Sequence, residues 1–312
     1  MRTPATHAQD GLPAEVTIWE VGPRDGLQNE SALVPTETKA AFVQRLVAAG
    51  LPIVEATSFV HPRWVPQLAD AGDLLTALAA HDALGDAAHD LPVLVPNDRG
   101  LDRALELGCR HVAIFGSATE TFAQRNLNRG HAEQFAMFAP TVERARAAGM
   151  RVRGYLSMCF GDPWEGEVAL DRVVDTGVRL LEMGCDSLSL GDTIGVGTPG
   201  HVRALLAAFE TAGVGADRLA VHFHDTYGQA LANALAALEA GITTFDASAG
   251  GLGGCPYAES ATGNLATEDL VWMLDGLGVR TGVDLDALVD TSRWMAGELG
   301  RPSVSRVVQA RA

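Results

Sequence analysis

Helix-like runs that end in glycine, followed about two residues later by a short apolar or β-branched stretch, recur along the chain. They read VAAGLPIVEA, LELGCRHVAIF, RAAGMRVRGYL, LEMGCDSLSL and LEAGITTFDA. Gly50, Gly108, Gly149, Gly184 and Gly241 fall just past the predicted helix ends, where left-handed backbone costs glycine little. The pattern predicts strands over 16–21, 53–57, 92–96, 111–115, 151–157, 187–191, 220–224 and 243–248. Helical patterns follow each strand, near 36–49, 66–80, 99–107, 131–148, 167–183, 199–212, 228–240 and 264–276. Eight strand–helix units are the arithmetic of a (β/α)8 TIM barrel; periodicity alone does not show closure, so a doubly wound open sheet is the alternative. A further helix is predicted over 282–299, and 79–91 reads as a surface elaboration. The chain 1–312 therefore reads as one α/β domain, with a barrel over about 16–282 and a C-terminal helical extension over about 283–312.

Composition narrows the partners. Hydrophobic residues at 47% and charged residues at 20% describe an ordinary globular chain. A formal net charge of -16 argues against nucleic acid and anionic membrane surfaces. An anionic substrate would then need a local basic site or a metal. Cys109, Cys159, Cys185 and Cys255 form no C-x-x-C pair and read as reduced thiols of a cytoplasmic protein. The first residues lack the apolar core of a signal peptide, and no apolar run approaches the length of a membrane span. Lys39, alone against 22 arginines, lies mid-way along a helical pattern and is expected on a solvated face. Covalent chemistry through a lysine amine thus has no strand-end candidate.

Active sites of such barrels lie at the C-terminal ends of the strands. There stand Arg24 and Asp25, Glu55, Asn97, Ser157, Asp192, His222 and His224. VGPRDGLQNE places opposite charges side by side where a strand breaks into a turn, which by itself suits an exposed turn with a local ion pair. In AVHFHDTYG, two histidines two apart on a strand project to one face, which suits a metal ligand pair or two hydrogen-bonded core histidines. With Asp25 added, two nitrogens and oxygen donors suit Mg²⁺, Mn²⁺ or Zn²⁺. The last loop, AGGLGGCPYAESATGN, carries Cys255, either a general acid or base on a lid or an incidental thiol. Asn264 opens the next helical pattern and reads locally as its N-cap.

Several stretches together resemble the 3-hydroxy-3-methylglutaryl-CoA lyase family. They are VGPRDGLQNE, IVEATSFVHPRWVPQLAD, SLGDTIGVGTPG, HFHDTYGQALAN and GLGGCPYAESATGNLATEDLVWMLDGLG, spread over 16–282. The resemblance extends to a wider group of TIM-barrel metallolyases with an Asp-Arg-Glu constellation, to which Asp25, Arg24 and Glu55 correspond. It implies divalent-metal-dependent retro-Claisen cleavage of an acyl-CoA to acetyl-CoA and acetoacetate, with Mg²⁺ or Mn²⁺ as cofactor, and a homodimer. Residue by residue, Asp25, His222, His224 and Asn264 match the metal ligands and Arg24 the arginine that polarises the thioester. Cys255 matches the lid cysteine. Glu55 and His222 complete the catalytic set for hydrogen bonding and proton transfer. Gly26 would let the ligand come close.

Two positions depart from the family pattern near the expected substrate mouth. Asp162 stands where the family carries a cysteine before the proline, and His61 replaces a residue that is usually small. They bear on acyl-chain preference, and a lyase of the same group acting on a bulkier 3-hydroxy-3-alkylglutaryl-CoA is the nearest rival. A Claisen condensing enzyme would add a regulatory domain for which the length leaves no room. Barrel metal hydrolases carry H-x-H on the first strand, whereas here it lies on the seventh. A non-catalytic scaffold would not populate its strand ends this way.

Overall fold

Alternation along each strand sorts side chains into two layers. The computed structural model describes residues 3–80, 90–254 and 263–311. Its strands are β1 (Thr17–Glu20), β2 (Ile53–Val54), β3 (Thr57–Ser58), β4 (Val93–Leu94), β5 (His111–Ser117), β6 (Arg151–Ser157), β7 (Ser187–Asp192), β8 (Leu219–Phe223) and β9 (Thr244–Ala247). All pair in parallel, in the order β2-β1-β9-β8-β7-β6-β5-β4-β3. The predicted second strand is broken into β2 and β3 around Glu55–Ala56, yet its backbone bonds run through. Glu55 N donates to Glu20 O at 2.8 Å and Ala56 N to Pro92 O at 3.0 Å. One segment thus bonds β1 on one side and the β4 segment on the other, which closes the barrel and removes the open-sheet alternative.

The helices are α1 (Thr36–Ala48), α2 (Ala71–Ala80), α3 (Asp98–Glu106), α4 (Glu120–Leu127), α5 (His131–Ala147), α6 (Leu170–Met183), α7 (Pro199–Thr211), α8 (Ala230–Glu239), α9 (Thr267–Leu277), α10 (Leu285–Leu299) and α11 (Arg306–Ala310). The five inter-unit glycines all take positive φ, from +74° to +120°. Helix α4 has no counterpart in the sequence pattern, because only Phe122 and Ala123 of its eight residues are buried and no apolar stripe exists to detect. The predicted elaboration over 79–91 falls largely outside the described residues.

Between strands and helices lies the apolar layer, with Ile18, Val152, Leu188, Val221 and Phe245 from alternate strand positions. Inside the barrel the layer is partly charged. Trp19 on β1 pairs in register with Asp246 on β9, and Arg153 on β6 is fully buried. The C-terminal extension covers one flank: Trp294 of α10 meets Phe42 of α1 and lies under the Arg45 guanidinium, 4.6 Å away.

Lys39 departs from its expected solvated face. It is 2% exposed, pairs with Asp70 at 2.7 Å and donates to the Gln67 carbonyl, tying α1 to the turn before α2. Helical periodicity does not show this, because the partner lies 31 residues on. Breaking a buried pair from one side strands the other charge. Lys39→Met is therefore expected to destabilise the fold by about 3 kcal/mol, read as a lowered urea midpoint, with turnover of the still-folded enzyme unchanged.

Candidate active site

The stretch after β1 folds as a single π turn, Gly22–Gly26. Three amides converge on one carbonyl: Arg24 N, Asp25 N and Gly26 N donate to Val21 O at 3.2, 2.8 and 3.1 Å. Such wide turns recur at functional sites because they break the facing rule of regular backbone, and here they let two adjacent residues face one pocket. Arg24 is 6% exposed. Its Nε donates to Glu55 Oε1 and its Nη1 to Asp25 Oδ1, both at 2.6 Å; among the described residues Nη2 takes no hydrogen bond. The local ion pair exists, but in a buried site rather than an exposed turn. What approaches Gly26 is the chain itself: a Cβ there would stand 2.8 Å from Ser248 Oγ and 2.9 Å from Leu252 Cβ. The glycine therefore serves close packing of the last loop's root, not access for a ligand.

Glu55 is fully buried. It accepts Arg24 Nε on one oxygen, and Trp19 Nε1 (3.0 Å) and the Tyr155 hydroxyl on the other. Tyr155 also lies under Arg24, 5.3 Å from ring centroid to guanidinium carbon. Glu55 and Tyr155 thus fix the arginine from below.

His222 lies one residue before the end of β8, and His224 follows just after the strand, bridged to Asn264. Their Nε2 atoms face each other at 3.2 Å. Ligand atoms of Asp25, His222 and His224 all lie within 4.8 Å of one another. Two imidazole nitrogens so close need a cation or a shared proton between them. Burial favours neutral His222, but Asp246 and Asp25 together hold its pKa above the ordinary value. Burial first, then the neighbouring His222, pushes His224 down to about 4. Burial opposes the charge on Asp25, yet Arg24 and the two histidines hold its carboxyl down at about 2. Asn264 is not an N-cap, since α9 begins at Thr267 and Ala266 is its cap residue. Its Nδ2 donates to Asp25 Oδ2 (2.9 Å) and Leu252 O (3.0 Å), while its buried Oδ1 has no hydrogen-bond partner among the described residues. A buried carbonyl oxygen with no donor among the described residues, beside a carboxylate and two imidazoles, offers mixed oxygen and nitrogen donors of the kind that suit a divalent cation. Asp25, His222, His224, Asn264, Arg24 and Glu55 come together here; Cys255 lies outside the described residues.

Asp192 turns back on its own loop and accepts Val196 N and Gly197 N, each at 2.9 Å. Asn97 caps α3. Asp162 accepts from Thr119 Oγ1, Trp164 N and Glu165 N at 2.6, 2.7 and 2.9 Å. A turn of its own thus occupies the departing aspartate. His61 is exposed and accepts Arg63 N.

Sequence reading missed the groups beneath the site. Glu20 receives Gly22 N and Ala249 N at 2.8 Å and Thr267 Oγ1 at 2.6 Å, so one carboxylate holds the starts of the π turn, the last loop and α9 together. Glu268 accepts Gly250 N and Ser292 Oγ. Burial pushes Glu20 up to about 7 and Glu268 up to about 8. Trp19, Tyr155, Arg153, Ser189 and Asp246 were missed too. A signal existed for these: Arg153 and Tyr155 share one face of β6, and an aspartate inside the apolar stretch TTFDAS needs a buried partner.

A model of the HMGL-like family matches residues 15–295. The chain is 47% identical to mouse mitochondrial hydroxymethylglutaryl-CoA lyase over 310 residues, covering 99% of this chain and 94% of that protein. The crystal structure of the hydroxymethylglutaryl-CoA lyase from Pseudomonas aeruginosa superposes with a TM-score of 0.92 at 46% identity, over 96% of this chain and 98% of that one. An HMG-CoA lyase from Acinetobacter baumannii, solved with coenzyme A and 3-methylmalate, gives a TM-score of 0.88 at 34% identity, covering 97% of each chain.

Proposed function

Because this chain belongs to the HMGL-like family, we infer that it cleaves 3-hydroxy-3-methylglutaryl-CoA to acetyl-CoA and acetoacetate with a divalent cation. The observation that carries this reading is the convergence of Asp25, His222 and His224 beside a buried arginine at the strand ends of such a barrel. Asp25, His222, His224 and Asn264 would hold the cation, Mg²⁺ or Mn²⁺ by family analogy. When bound, it acidifies and orients the substrate's tertiary hydroxyl.

The chain's own groups supply the rest. The hydroxyl gives up its proton to solvent, the carbon it stood on becomes the ketone of acetoacetate, and the broken C–C bond leaves its electron pair on the thioester side. Arg24 is aimed by Glu55 and Tyr155 and stabilises the negative charge on the thioester oxygen. Cys255 returns a proton to the carbon that carried the charge, completing acetyl-CoA. Glu55, surrounded by three donors, acts as a positioning group. Asp162 has its acceptors engaged in its own turn, so no observation favours a bulkier acyl chain.

The partner is a small acyl-CoA, and the family analogy extends to a homodimer. No described helix is long and apolar enough to cross a membrane. Cys109, Cys159 and Cys185 are buried free thiols, which supports the cytosol as compartment.

The test is incubation of chelator-stripped protein with 3-hydroxy-3-methylglutaryl-CoA, following acetoacetate and acetyl-CoA. Product should appear only on adding Mg²⁺ or Mn²⁺. Absence of cleavage with every divalent cation would overturn the activity; full turnover in a preparation shown to be metal-free would overturn the metal site alone.

A further inference from the structure

The two histidines differ in what stands behind them. His224 Nδ1 is buried with no hydrogen-bond partner among the described residues. His222 Nδ1 lies 3.3 Å from Asp246 Oδ2, and the two residues are register partners on adjacent strands. Asp246 is 2% exposed and also accepts Ser189 Oγ at 2.7 Å and Arg153 Nη2 at 2.5 Å. Arg153 is itself fully buried, stacked 3.8 Å from the Trp19 ring centroid. A guanidinium stays protonated throughout the working range, so its partner stays a carboxylate with only lone pairs to offer. A carboxylate facing an imidazole nitrogen requires that nitrogen to carry the hydrogen.

We propose that Asp246 is a positioning residue: it holds His222 with the proton on Nδ1, leaving the Nε2 lone pair free for the divalent cation, with Arg153 keeping Asp246 charged. The proposal rests on the metal-dependent reading above. A ring whose far nitrogen is fixed by a carboxylate is a better and better-aimed ligand, and loss of such support commonly weakens metal binding about 10- to 100-fold. The Arg153–Asp246 pair thereby gains a role beyond filling the barrel interior, since a buried ion pair is by itself weak evidence of stability.

Asp246→Asn tests this because it preserves shape while inverting one atom. The amide oxygen can still accept from Arg153, and the NH₂ then faces His222 Nδ1 as a donor. That selects the other tautomer, with the proton on the ligand nitrogen. Mg²⁺ or Mn²⁺ titrated calorimetrically into metal-free protein should bind the variant about 10- to 100-fold more weakly than the parent. Ser189→Ala removes a donor from the same carboxylate oxygen without touching the histidine and should stay within about twofold of the parent. Nitrogen-detected NMR of histidine-labelled parent protein saturated with Mg²⁺ needs no variant at all; it should show His222 with hydrogen on Nδ1 and none on Nε2.

Equal affinity in Asp246→Asn, equal loss in Ser189→Ala, or a bare Nδ1 in the parent would overturn the proposal. If the parent binds neither cation, the metal-dependent reading itself falls, a result distinguishable from the others because it appears before any substitution is made.

Discussion

Asp25→Ala is expected to lower cleavage by about three orders of magnitude or more while leaving the fold in place. Asp25 is the carboxylate among the three clustered candidate ligands and pairs with Arg24 at 2.6 Å. It also receives Asn264 Nδ2 at 2.9 Å and lies 3.9 Å from His222 Nε2. Alanine therefore removes the ligand set's charge and the tie that orients Asn264. Charge stabilisation by a bound cation amounts to several kcal/mol, and each 1.36 kcal/mol is about tenfold in rate, which gives the stated size. Stability should change little, because the side chain is 23% exposed at a strand end, apart from the apolar layer. Three measurements check this together: turnover, calorimetric Mg²⁺ affinity and the urea midpoint. Turnover within tenfold of the parent, with unchanged metal affinity, would remove Asp25 from the site.

Arg24→Met should lower kcat by about 10²- to 10³-fold, the range for losing one preorganised donor to developing negative charge. KM should change little, because that charge exists in the transition state and not in the bound substrate. The substitution keeps the stem length but removes the donor, and it leaves fully buried Glu55 without the cation that meets it at 2.6 Å. The proposed thioester interaction and the Glu55 pair would therefore be lost together, so a stability loss of about 3 kcal/mol should accompany the kinetic one. Arg24→Lys separates the two effects. It retains a positive charge near Glu55 but not the planar fork that reaches Glu55 and Asp25 at once. Stability should return in part while kcat stays low. A methionine variant with raised KM and unchanged kcat would make Arg24 a uniform binding residue instead.

Hydrophobic rhythm alone determined the barrel's units: glycine-punctuated helices, the H-x-H strand and the R-D turn are local features, dictated by backbone propensity and side-chain periodicity over a few residues. The resemblance carried by the quoted motifs then named the residues that the structure brings together, Asp25, His222, His224, Asn264, Arg24 and Glu55. Local reading failed wherever a partner lies far along the chain. Lys39 reads as surface until Asp70 is beside it, Asn264 reads as a cap until Asp25 lies 2.9 Å away, and Asp246 goes unread until Arg153 and His222 converge on it. Burial of Asn264 and Asp246 depends on barrel closure, which sets β1, β6, β8 and β9 around one interior, and burial of Lys39 on the packing of α1 against the turn before α2. Only that tertiary arrangement makes a charged side chain cheaper paired inside than solvated outside.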